Sequence, residues 1–244
     1  IEDFQKLADE IPYESKGILF QEAFFVYSCL ANATPRRLLE SGRARGQSTL
    51  VFCRSFPETT VASIEFDRNS PDVPVAEERL SGEKNIELHY GDAREVIPAM
   101  LQEGDVVVID GPKEHRALAL AYRILGTGRC PAVFIHDCYK GSPIRKLIDA
   151  AYPAALFSDD PAFVAAYKDL DEKRIVSVTE TGDNEWRPYN FTGHSQISWG
   201  PTFACLPYSP GFAYGVARVR VELAAVSYRL RRSIAKRRKK KSNG

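Results

Sequence analysis

The residues in this sequence that could do chemistry are acids placed at the ends of short apolar runs. In chain order they are Glu40, Glu65 or Asp67, Asp92, Asp110, and Asp137 beside His136. The first sits in Leu38-Leu39-Glu40-Ser41-Gly42-Arg43-Ala44-Arg45-Gly46-Gln47-Ser48-Thr49. There an apolar strand runs into an acid, a glycine turn and a small-residue opening to a helix. Such a turn brings main chain close to an adenosine-bearing cofactor. The dinucleotide fingerprint G-x-G-x-x-G needs its second glycine so that the backbone can approach a pyrophosphate. Here the order is E-x-G-x-x-x-G, with Ala44 where that glycine would fall. A negative Glu40 beside the turn suits a cationic sulfonium better than a diphosphate.

The elements that must position these acids follow from periodicity. Five short apolar runs read as strands: 36–41, 60–67, 85–92, 105–111 and 131–137. Segments of helical character, 48–56, 93–101 and 114–125, lie between them. Strands alternating with helices give βαβ units around a parallel sheet. The run Asp105-Val106-Val107-Val108-Ile109-Asp110 suits a central strand buried on both faces. A helix over 17–31 precedes the strands, closed by Asn32 and Pro35. After Gly141 a further helix is expected, with Ser142 as its cap and Pro143 at its first position. Residues 173–180 and 201–209 read as late strands, and 215–235 as an amphipathic helix. The expected organisation is a helical cap over 1–35, one α/β domain over 36–214, and a helix with a basic tail over 215–244, disordered after Ile234.

In an open α/β sheet, ligands sit outside the carboxyl ends of the strands. Each strand in turn delivers a group there: Glu40 with Gly42, then Glu65 and Asp67, then Gly91-Asp92, then Asp110 and Lys113, then His136-Asp137. A carboxylate ending the second strand suits a ribose diol, because it accepts two hydroxyl hydrogen bonds. Glu65 and Asp67 share one face, and Glu65 is preferred. Asp92 suits a polar contact near the base. Any one of these acids could equally be a helix N-cap or a solvated loop residue; five in order point to a site.

At this point residues 13–140 resemble the catechol O-methyltransferase-like branch of the class I S-adenosylmethionine-dependent methyltransferases. The pattern matches at Ser15-Lys16-Gly17, at Glu40, Gly42, Gly46 and Ser48, at Glu65, and at Gly91-Asp92-Ala93. Its most specific part is Asp110-Gly111-Pro112-Lys113. The resemblance implies a Rossmann-like, mostly parallel seven-stranded sheet with helices on both faces, and O-methylation of a small-molecule or sugar hydroxyl. It implies cofactor contacts from Lys16, Glu40, Gly42, Ala44, Gly46, Ser48, Glu65, Asp92, Ala93 and Asp110. It further implies Asp110 as ligand to Mg²⁺ or another divalent metal, joined by Asp137, and Lys113 as general base. In that chemistry a methyl group moves in line from the sulfonium to an oxygen that loses its proton. A metal lowers the hydroxyl's pKa and a lysine of depressed pKa takes the proton.

The branch carries Asp-Asn after the fifth strand, whereas this chain has His136-Asp137-Cys138. Cysteine is a poor magnesium ligand. Three readings stay open: fewer protein ligands, a different metal with His136 taking part, or no metal. His136 is either a catalytic residue or a structural hydrogen-bonder, and Lys113 is either the base or a solvated lysine at a helix start. A weaker similarity joins the Ile-Asp-Gly-Pro and Phe-Ile-His-Asp segments to sugar and glycan O-methyltransferases.

Composition sets the outer limits. The 244 residues, 44% hydrophobic and 27% charged, fit one large globular domain. No apolar run is long enough to span a bilayer. The chain opens on Ile1, so a trimmed start is expected. Five scattered cysteines, never in C-x-x-C, point to a reducing, cytoplasmic compartment. Residues 229–244 hold nine Lys/Arg and no acid; subtracting these nine from the net +1 leaves −8 for the body. An acidic body with a basic run disfavours nucleic acid as substrate and favours peripheral contact with the anionic inner face of a membrane. Arg43 and Arg45 are expected to face solvent or, alternatively, to bind an anionic acceptor. Trp186, Tyr189, Phe191, His194 and Trp199 could stack on a flat or sugar acceptor. The rival readings are an NAD- or nucleotide-sugar-dependent enzyme on a doubly wound sheet, and a catalytically degenerate methyltransferase fold used as a binding module.

Overall fold

A computed structural model describes residues 1–14, 17–31, 35–171 and 202–242, with side chains in the last helix described as far as Tyr228. Helices α1 (Glu2–Glu10) and α2 (Phe20–Leu30) come first. Then follow β1 (Arg37–Ser41), α3 (Gln47–Ser55), β2 (Thr60–Glu65), α4 (Asp72–Leu80), β3 (Ile86–Tyr90), α5 (Ala93–Met100), β4 (Val106–Ile109), α6 (His115–Leu125) and β5 (Ala132–Ile135). The remainder holds α7 (Pro143–Ala151), β6 (Leu156–Phe157), α8 (Pro161–Tyr167), β7 (Ala204–Pro207) and α9 (Tyr214–Ser242).

The strands form one seven-stranded sheet of order β3-β2-β1-β4-β5-β7-β6. β1 to β5 are parallel, and β7 runs antiparallel to both of its neighbours. Strand alternation feeds two cores. Leu38, Val106, Val108 and Phe134 face the side covered by α2 and α3; Leu39, Val107, Ile109, Val133 and Ile135 face the side covered by α5, α6 and α7. That two-sided burial is why the central strands read as unbroken apolar runs. This is the Rossmann-like, mostly parallel architecture expected from the sequence.

At the amino end of the sheet, polar groups close on one another. Arg37 forks onto Asp105, Nε to Oδ1 at 3.1 Å and Nη2 to Oδ2 at 2.7 Å. Asn85 Nδ2 donates to the carbonyls of Cys53, Phe56 and Thr59 at 3.0, 3.1 and 2.9 Å.

Several elements differ from expectation. α1, α4, α8 and the two-residue β6 were not anticipated. α4 buries only Val73, Ala76 and Leu80, too thin an apolar face to stand out beside Pro74 and three acids. α9 does not dissolve after Ile234; it is helical to Ser242. Lysine and arginine are good helix formers, and cations are favoured near a helix C-terminus. Ser142 caps α7 as expected, accepting from Arg145 N at 3.2 Å. Lys16, Asn32, the 173–180 strand and the aromatics of 184–199 lie outside the described residues.

Candidate active site

Beyond the strand ends the parallel ladder continues into the turns. Gly42 N donates to Ile64 O, Gly91 N to Glu65 O, Asp110 N to Ser41 O and His136 N to Ile109 O, each at 2.9 Å. These bonds fix the turns side by side along one edge. Gly42 has φ +87°, and a β-carbon there would lie 2.9 Å from Gly111 N. Its bareness therefore lets the β1 turn pack against the β4 turn. Three non-glycine residues among those described have positive φ: Ala44 (45°), Glu114 (56°) and Asp137 (61°). All three stand at this edge, and such conformations persist only where the surroundings impose them.

A cavity of about 690 Å³ opens here, lined by Gly42, Glu65, Asp92, Ala93, Lys113 and residues of α6 and α9. That size is usual for a small-molecule site, roughly 300–1,000 Å³. Glu65 ends β2 at its wall, held by Ala44 N (2.9 Å) and Phe66 N (2.8 Å). Each carboxylate oxygen keeps acceptor capacity beyond these bonds. Asp67 instead accepts from Asn69 N in an exposed turn. Asp92 lines the cavity and also N-caps α5, accepting from Arg94 N at 3.0 Å. The Arg94 guanidinium forks onto the same carboxylate and holds it below its ordinary range.

Two expectations fail at the first turn. Glu40 is not at the cavity. It is buried on the α3 side, where the hydroxyls of Ser48, Thr49 and Ser63 donate to it. The last residue of β1 is Ser41, which lines the cavity; alternation turns Glu40 the other way. Ser48 and Gly46 go inward with it, Gly46 backing onto Ala76 and Leu80 of α4. Burial raises the Glu40 carboxyl above its usual range, against the three hydroxyls that lower it. Arg43 does not face solvent either. It is 1% exposed, donates from Nη1 to Ser63 O at 2.7 Å, and lies 5.0 Å from the Tyr90 ring centre. Arg45 pairs with Glu14 and Asp72.

At one end of the cavity Lys113 bridges two carboxylates, Asp110 and Asp137, the latter at 2.7 Å. His136 joins Asp110 to a third carboxylate, donating from Nδ1 to Asp110 (2.5 Å) and from Nε2 to Glu22 (3.2 Å). Burial alone would lower the His136 pKa, but Asp110 and Glu22 raise it well above the ordinary value. With a carboxylate oxygen facing each ring nitrogen, the arrangement favours the imidazolium form, which donates from both. For Asp110, burial pushes upward, but the charges and hydrogen bonds of His136 and Lys113 prevail and hold it low. For Lys113, burial pushes downward, and Asp110 and Asp137 outweigh it. The lysine is thus a stabilised ammonium, contrary to the depressed pKa that the resemblance implies. Three carboxylates against two cations leave this cluster one formal negative charge.

Glu22 was missed. It is 2% exposed on α2 and accepts from Thr202 N (2.7 Å), Thr202 Oγ1 (3.0 Å) and Leu19 N (2.9 Å) besides His136. The available signal was an acid inside Phe20-Gln21-Glu22-Ala23-Phe24-Phe25, a stretch apolar apart from Gln21.

Asp110, His136 and Asp137 each present one ligand atom, all within 4.8 Å of one another. As arranged they do not fit a resident divalent ion. The Lys113 ammonium already bridges both carboxylates, and His136 spends both nitrogens as donors. Cys138 is fully buried and takes no part at the edge.

No protein-family profile and no curated protein matches the chain. Solved structures are similar to it at low identity. The N-terminal domain of EvdMO1, crystallised with S-adenosylhomocysteine and D-fucose, is 23% identical over 58% of this chain and 66% of its own, just under two thirds, with a TM-score of 0.41. A putative O-methyltransferase from Klebsiella pneumoniae is 18% identical over 63% of this chain and 77% of its own, at 0.46. The methyltransferase PaMTH1 of Podospora anserina, bound to S-adenosylhomocysteine, is 12% identical over 85% and 87%, at 0.47. In its own topology the chain has the Rossmann-like, seven-stranded fold of the class I methyltransferases.

Proposed function

We propose that this protein is an S-adenosylmethionine-dependent O-methyltransferase acting on a small-molecule or sugar hydroxyl. The observation that carries this reading is the cavity itself. It runs from Glu65 and Asp92 on one side to the Lys113 cluster on the other, past the Gly42 turn. Glu65 would take the ribose hydroxyls, Asp92 and Ala93 the adenine side, and Gly42 with Ala44 the main-chain approach. The formal negative charge of the cluster suits a sulfonium.

The acceptor hydroxyl would sit against Lys113 and Asp137. As its oxygen takes the methyl group, the sulfur keeps the electron pair of the broken bond, leaving S-adenosylhomocysteine. The hydroxyl proton passes to Asp137, the half-exposed carboxylate of the cluster. The Lys113 ammonium stabilises charge developing on the oxygen. His136, fixed between Asp110 and Glu22, holds Asp110 in place for Lys113 and is a positioning residue.

Five free cysteines support a reducing, cytoplasmic setting, and the basic run of 229–244 supports peripheral contact with an anionic surface. Titration calorimetry with S-adenosylhomocysteine tests the reading. Binding to the folded protein is expected. No binding, or binding of NAD in its place, would overturn it.

A further inference from the structure

Helix α9 is 29 residues long, about 43 Å at 1.5 Å per residue. The helix it packs against, α6, has 11 residues. The two run antiparallel. Tyr214 lies against Gly126, just past the end of α6, and the Tyr228 ring lies 5.7 Å from that of His115, the first residue of α6. By Tyr228, then, α6 is used up. The rest of α9 passes beyond it at the sheet end that carries Glu65, Asp92 and Lys113. Ala225 and Tyr228 form part of the cavity wall.

The outer side of α9 is apolar as well. Val216, Val219, Leu223 and Val226 are 55%, 50%, 64% and 53% exposed. Spacings of three, four and three residues set them in one line along the helix, on the side opposite the buried Val221. Nine Lys/Arg and no acid follow between 229 and 241. Charge decides what can cover this line. Over 214–242 there is one acid, Glu222, against eleven Lys/Arg. A second α9 laid alongside in parallel would set cations against cations. An anionic bilayer offers an apolar layer beneath a negative surface, which matches an apolar line continued by basic turns.

We infer that α9 docks on an anionic lipid surface, with Val216, Val219, Leu223 and Val226 in the acyl boundary and the basic turns among the headgroups. Docking sets the cavity end of the sheet beside the membrane. This deepens the peripheral reading above and stands apart from the methyl-transfer reading.

Co-sedimentation of the full chain with vesicles tests it. Binding to mixed phosphatidylcholine–phosphatidylserine vesicles, but not to phosphatidylcholine alone, is expected, and high salt should weaken it. The double variant Leu223→Asp/Val226→Asp should bind roughly tenfold more weakly or worse, with unchanged melting and unchanged S-adenosylhomocysteine titration. The triple variant Lys239→Gln/Lys240→Gln/Lys241→Gln should also bind less. Equal binding to both vesicle types, no binding to either, or wild-type binding by the double variant would overturn the inference. So would a dimer that the double variant converts to monomer in light scattering, or tighter binding to single-stranded RNA than to vesicles. Vesicle binding without S-adenosylhomocysteine binding would remove the methyl-transfer reading and leave this one standing.

Discussion

The two ends of the sheet use the same kinds of side chain to opposite effect. At the amino end, Arg37 and Asp105 exchange a fork of hydrogen bonds, with Asp105 fully buried and also accepting from Gln102 N at 2.7 Å. Asn85 satisfies three carbonyls there. At the carboxyl end, Lys113 and Asp137 also pair, but both are about half exposed and Lys113 lines a cavity. The described non-glycine residues with positive φ gather at that end as well. One end spends its polar groups on closing the chain; the other holds them charged and reachable. An ion pair by itself therefore says nothing about function. What separates the two is whether its members keep a side turned to open space.

Variants at the two ends should separate stability from activity. Arg37→Ala strands a buried Asp105 and should cost about 3–5 kcal/mol of stability. Denaturant melts should show that loss, while the folded fraction keeps its specific activity. Lys113→Ala should do the reverse, lowering turnover by about 10²–10³ with melting nearly unchanged. Lys113→Arg sharpens the point. Arginine keeps the charge and cannot give up its proton, so it should retain more activity than alanine. Equal loss in both would return the proton-acceptor role to Lys113.

Gly42→Ala joins the two effects at one position. A β-carbon 2.9 Å from Gly111 N at φ +87° should cost about 1–3 kcal/mol and weaken S-adenosylhomocysteine binding by calorimetry. The smallest effect belongs to Glu40. Its folded pKa is raised above the ordinary 4.5. The neutral carboxyl is therefore fully accommodated below that value, and stability is lost as pH rises from there through the raised pKa. Melting temperature should fall across this window in the wild type. It should stay flatter in Glu40→Gln, and a wild type as flat as the variant would count against the raised carboxyl.

Much of this was legible in the sequence. Five parallel strands could be placed because burial on both faces writes them as plain apolar runs. Glu65, Asp92 and Lys113 could be placed at the cavity because strand ends in such sheets share one edge. Glu40 could not, because it stands one residue before the end of β1, where alternation turns it to the α3 face with Leu38 and leaves the cavity side to Ser41. Arg43 misled because its charge suggests water, whereas its guanidinium lies over Tyr90. Glu22 depends on partners just after β5 and before β7, which no local pattern reveals. The Lys113 pKa direction depended on two carboxylates converging from β4 and β5.

The partners of α2 also have a consequence for the order in which the molecule is made. Phe20 N and Gln21 N bond to Asp171, and Glu22 accepts from Thr202, partners 151, 150 and 180 residues downstream. At a synthesis rate of about 5–20 residues per second, α2 waits on the order of ten seconds or more for them. Until Thr202 emerges, the Glu22 carboxylate has to stay in water, and with it the apolar face around it. The sheet's central strands can pair long before then. A helix synthesised early is thus among the last to be sealed onto the domain, and closing it completes the cluster around His136.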